Sequence, residues 1–221
     1  MDNPREETGD EQYRTRGAYT IAAVRADPET TGMEVDFAAA NAGVKTTGRQ
    51  IDDLEDTLQE HEAVVIVRDL VTDKLVRSYD LHLLDMVDKN RDDPRYQRYF
   101  PNGLRAVTEA DARQVEPKLV RDIIKTLDED QNKPGFDKLH AEYRDKLWAA
   151  VQAVEVADTA CEQIETQLAF LKDKVLIEVK LKWVEERKKL HAELTKKFPH
   201  DARRVESYFL RFAKARKKKP Q

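Results

Sequence analysis

The 221-residue chain has one cysteine, seven glycines, two tryptophans and no long apolar run. A single cysteine, Cys161, excludes an intramolecular disulfide. The longest uninterrupted apolar stretches, Ala63 to Val67 and Leu147 to Val151, fall far short of the ~20 residues that cross a bilayer. The segment from Met1 to Gly17 is polar and acidic, and the patch Ile21 to Val24 is too short for the apolar part of a signal peptide. These absences predict a soluble, cytoplasmic protein. Few glycines and 37% charged residues point to long solvated helices rather than turn-rich sheet.

Apolar periodicity is the strongest positive signal. Leu147, Ala150, Val154, Ala157, Cys161, Ile164, Leu168, Leu171 and Val175 follow one another at alternating steps of three and four, with charged or polar residues between them. Such a seam seeks a partner helix along one narrow stripe. Cys161 lies on that stripe and reads as a small core residue. Phe37, Ala40, Val44, Thr47, Ile51, Leu54, Leu58, His61 and Val65 repeat the pattern earlier in the chain, after a capping pair at Thr31 and Glu34. Gly43 and Gly48 mark a bend or a close helix contact. From Ala63 to Val71 the apolar arc broadens beyond what one partner needs, so this segment is expected to touch at least two neighbours.

The fold expected is all-α: an elongated antiparallel coiled-coil hairpin of two long helices plus shorter ones. A polar, flexible N-terminal arm occupies residues 1–30 and a single helical bundle residues 31–212. Its long helices run over about 31–90 and 136–198, joined through a tip loop at 91–107 and a helix at about 108–130. A short helix at about 201–213 carries Val205, Tyr208, Phe209 and Phe212 on one face, and residues 214–221 form a basic tail. A 63-residue helix spans roughly 94 Å, against a radius of gyration of about 17 Å for a compact chain of this length. Pairing Asn90 with Asp137 sets the hairpin register. Beyond Val175 the apolar phase slips, which locally unwinds a supercoil.

Charge is unevenly spread. Residues 180–221 carry fifteen Lys and Arg against five Asp and Glu, whereas residues 34–62 carry eight acids against two bases. Antiparallel pairing would bring these halves near one another and account for the asymmetry within the chain, although pairing Asn90 with Asp137 puts Asp52 opposite Val175, several turns from Arg187, Lys188 and Lys189. Alternatively the basic end, with Lys214, Arg216, Lys217, Lys218 and Lys219, contacts nucleic acid or another acidic surface by counterion release. Tyr96, Tyr99 and Phe100 at the tip offer a second contact point for protein partners, or else cover the ends of the long helices. For a metal, hairpin register would gather His82, Asp85, His140 and Glu142 at one level. No nucleophile elbow or phosphate loop occurs, and no cofactor is expected. The leading expectation is a non-enzymatic scaffold, spacer or assembly subunit that binds protein partners and self-associates as a homo-oligomer. The alternatives are a polyanion-binding module and a helical-bundle metal protein.

Overall fold

In the computed structural model the described residues are 4 and 8–212, and all their regular structure is helical. In chain order the elements are α1 (Asp10–Ala26), α2 (Val35–Met86), α3 (Pro94–Gln97), α4 (Arg105–Thr108), α5 (Glu116–Asp130), α6 (Phe136–Phe170), a π-helical turn (Leu171–Val175), α7 (Leu176–Lys197) and α8 (Ala202–Ser207). The all-α class follows from the sequence as expected. The chain divides into two compact units, residues 1–55 with 167–221 and residues 56–166. We call them the terminal unit and the central unit.

In the terminal unit the start of α2 runs antiparallel to α7. Phe37 packs on Trp183 with ring centroids 5.1 Å apart, Asn41 accepts a hydrogen bond from the Trp183 indole at 3.0 Å, and Glu55 meets Lys172. The Glu55–Lys172 pair has the register that Asn90 opposite Asp137 implies. It is also a point where the acidic first half of the chain meets the basic second half. The expected polar arm is corrected here, because residues 10–26 form a helix. Tyr13, Gly17, Thr20 and Val24 step by four, three and four, and all are buried. Gly17 lets α1 approach closely: a Cβ there would lie 1.9 Å from the Asn41 amide oxygen. Gly48 is the matching close contact, where a Cβ would lie 3.1 Å from an Asp10 carboxylate oxygen.

The capping pair is also corrected. The Thr31 hydroxyl donates to the Arg25 and Asp27 carbonyls, and the Glu34 carboxylate accepts from the Gly32 amide at 2.8 Å and from Arg25 at 3.0 Å. The turn Thr30–Glu34 is thereby fixed before α2 begins at Val35. Val205, Tyr208, Phe209 and Phe212 are buried as their spacing predicts. They enclose Arg187, whose guanidinium stacks near Trp183, Phe209 and Phe212 and donates to the Leu210 carbonyl. Burial of so long a cation is tolerable because aromatic faces and a carbonyl replace part of its hydration. The π-helical turn at Leu171–Val175 sits where the apolar phase slips, and rotates the following stripe so that Trp183, Leu190 and Leu194 face the core. Leu171 and Val175, at the end of the seam, are only half-buried.

In the central unit the second part of α2 lies antiparallel to α6. Val76, Tyr79, Leu83 and Val87 form one buried row. Leu139, Tyr143, Leu147 and Val151 of α6 form another, and Val120, Ile123, Ile124 and Leu127 of α5 complete the core. Asp93 caps α3 by accepting the Arg95 amide at 2.8 Å, with Pro94 first in the helix, as the Asp-Pro pair predicts. Arginines fasten α5 and the residues before it to α6: Arg121 pairs with Glu155, and Arg113 with both Asp158 and Glu165.

Candidate functional site

Most side chains singled out in the sequence are structural. Tyr96, Tyr99 and Phe100 are 1%, 3% and 0% exposed, which corrects their assignment as an outward contact point. The tip folds back onto the core. The Tyr96 hydroxyl donates to Asp80 at 2.7 Å and the Tyr99 hydroxyl to Asp130 at 3.2 Å, so each ring is buried with its polar end satisfied. Burial, then the Asp80 bond, pushes the Tyr96 hydroxyl up to about 12. Arg91 stands 3.8 Å from Asp80, while Lys133 and Arg98 pair with Asp130, compensating two buried carboxylates.

The metal constellation does not assemble. His82 engages the Tyr143 hydroxyl through Nδ1, and His140 engages Asp128 through Nε2 at 2.9 Å. Asp85 and Glu142 are exposed. Among the described residues no group of three or more His, Cys, Asp or Glu is disposed to hold a metal ion. Cys161 is fully buried beside Val65 and Ala157, and burial raises its thiol, which disfavours the reactive thiolate. Lys214, Arg216, Lys217, Lys218 and Lys219 lie outside the described residues.

One polar feature escaped the sequence reading. Glu116, at the start of α5, is 3% exposed and hydrogen-bonds Asp69 of α2, with Asp73 one turn further along α2. Burial, then the Asp69 bond and the nearby charges of Asp69 and Asp73, pushes the Glu116 carboxyl up to about 9. A carboxyl raised in this way favours its protonated form, which has a proton to offer a neighbouring carboxylate. The Asp73 carboxyl is also raised, mainly by burial, although Arg77 stands 3.4 Å away. The available signal was Asp69 and Asp73, four residues apart, the first within the apolar arc and the second just beyond it.

The site that stands out is apolar. Of the segment expected to touch two neighbours, only Val65 is buried; Val64, Ile66, Val67, Leu70 and Val71 are 45%, 60%, 59%, 54% and 44% exposed. At 100° per residue, Val65, Thr72 and Val76 define the buried side of α2, and Ala63, Val67, Leu70 and Val71 define the opposite one. Alongside runs a shallow groove of about 960 Å³, counting space open to solvent, lined by His61, Val64 and Arg68 of α2 and by α6. The α6 wall is Ala149, Ala153, Val156 and Ala160, at steps of four, three and four, with Val156 73% exposed. Small side chains at this spacing let another helix come close. A contiguous exposed apolar patch of this kind marks an interaction surface more often than chance exposure does.

The fold and this face define an all-α protein with an exposed apolar helical face. No family model, curated protein or solved structure matches the chain. No helix among the described residues is long and apolar enough to cross a membrane.

Proposed function

We infer that this protein is a non-enzymatic helical scaffold or assembly subunit that works by docking a partner helix on the central unit. The observation that carries this reading is the exposed face from Ala63 to Val71 with the alanine-lined wall of α6 beside it. A broad apolar arc on a helix is expected to pack on two sides. Here one side is occupied by the chain's own core and the other is open. The Cys161 thiol is buried, and His82, His140 and His191 each hydrogen-bond a neighbouring side chain.

A photo-crosslinking amino acid placed at Leu70, with a control at the exposed Lys188, tests this reading in cells that produce the protein. A discrete adduct at position 70 and none at position 188 is the expected result. Equal, diffuse labelling at the two positions, or none at either, overturns it.

A further inference from the structure

The open face of α2 is graded in charge along its length. Asp56 and Glu60 stand at one end, Ala63, Val64, Val67, Leu70 and Val71 in the middle, and Lys74 and Arg77 at the other. At 100° per residue, Asp56, Glu60, Ala63, Val67, Leu70 and Lys74 fall within one side of the helix, opposite the buried Val65 and Val76. Such an order is self-complementary under a two-fold axis. Turning a second α2 end for end about Val67 sets Glu60 against Lys74 and Asp56 beside Arg77, twice, and Val67 against its own copy. A parallel copy would set Glu60 against Glu60 and Lys74 against Lys74.

We propose that the occupant of this face is a second copy of the chain, its α2 antiparallel to the first and crossing near Val67. The two α2 helices meet face to face, and the groove between α2 and α6 of each copy runs alongside that contact. This rests on the face being a docking surface, and goes further by naming what docks. The exposed apolar residues Val64, Val67, Leu70 and Val71 of this face offer on the order of 100 Å² each, about half of the ~800 Å² per partner that a standard interface uses. The alanines of α6 and the flanking charges supply the rest. The apolar centre holds the copies together, and the charged ends set their direction. An isologous contact of this kind closes on itself, so assembly stops at two.

Sedimentation equilibrium of the purified full chain, at concentrations up to about 100 µM, tests the proposal. The expected result is a reversible dimer. Val67→Lys, an exposed position whose change leaves the helical content and thermal unfolding of the monomer intact, raises the dissociation constant at least ~100-fold by burying two facing cations. Glu60→Lys weakens the dimer roughly 10-fold, and Glu60→Lys with Lys74→Glu in the same chain restores it. A monomer at every concentration overturns the proposal, and so does a dimer indifferent to Val67→Lys. A charge-swapped chain that stays as weak as the single variant overturns the antiparallel arrangement. If the purified chain is monomeric while a crosslinker at Leu70 joins it to a different protein, self-association fails and the docking reading stands. If it is monomeric and no adduct forms, both fail.

Discussion

The two units use the same two long helices and close their cores differently. In the terminal unit the α2 segment is covered by α1 as well as by α7, and the aromatic residues after α8 seal the end, with Trp183 and Val24 fully buried. In the central unit α5 and α6 cover one side of α2 and leave the other bare from Ala63 to Val71. Residues 37–51 show a narrow apolar seam although two helices cover them, because α1 docks by close approach at Gly17, beside Asn41, and at Gly48 rather than on a wide apolar arc. Residues 63–71 show a broad arc with one cover. The difference teaches that a second cover can be accepted through small and polar residues, and that apolar width beyond the seam marks a side the chain itself does not bury.

Four substitutions sharpen this contrast. The largest effect belongs to the sealed unit. Trp183→Ala removes a fully buried ring and its bond to Asn41, and is expected to cost about 3–5 kcal/mol, read by urea unfolding. Substituting the exposed Leu70 by Ala should leave monomer unfolding nearly unchanged. A Leu70→Ala loss as large as that of Trp183→Ala would erase the distinction between the units.

The next effect is a pH dependence confined to the central unit. The folded-state carboxyl of Glu116 lies above its ordinary value of 4.5, at about 9. The native state therefore holds a proton that the unfolded chain releases. Stability from this group is complete below about pH 4.5 and falls as pH rises to about 9. Glu116→Gln keeps a donor toward Asp69 without the titration. Urea unfolding from pH 5 to 9 should show a decline in the natural chain that the Gln variant flattens; parallel slopes would refute the protonated Glu116.

The smallest effect lies in the terminal unit. The Tyr208 hydroxyl and the Arg204 guanidinium hold the Asp27 carboxyl down at about 2, against an ordinary value of 3.8. The stabilisation is present above about 3.8 and lost as pH falls through about 2. The site is only half-buried, so Asp27→Asn should lower the melting temperature only slightly at pH 7 and less still near pH 2. An equal loss at both pH values would assign the effect to packing rather than charge.

The seam from Leu147 to Leu168 was legible because each step of three or four returned to the same side of one straight helix, and all its members except the half-buried Ala150 are buried. The phase slip beyond Val175 was legible too, but not its cause, a π-helical turn at Leu171–Val175 that changes the angular step. The helix at 10–26 carried the same spacing through Tyr13, Gly17, Thr20 and Val24, but glycine and threonine are not apolar, and the abundant charge masked the face. Tyr96, Tyr99 and Phe100 show a second limit. Sequence marks an aromatic turn, whereas only packing tells whether the rings point inward. The Glu116–Asp69 pair lay beyond sequence reading because only the packing of α5 on α2 brings together residues 47 positions apart. The open face was half-legible: its excess apolar width was plain, and the absence of an internal cover emerged only from the fold.

A nitroxide label at Val67, with a control at Lys188, reports the central claim directly through its collision rate with a water-soluble paramagnetic relaxant. The account predicts that access at position 67 falls as protein concentration rises while access at 188 stays constant. Equal access at both positions across the whole concentration range would contradict it.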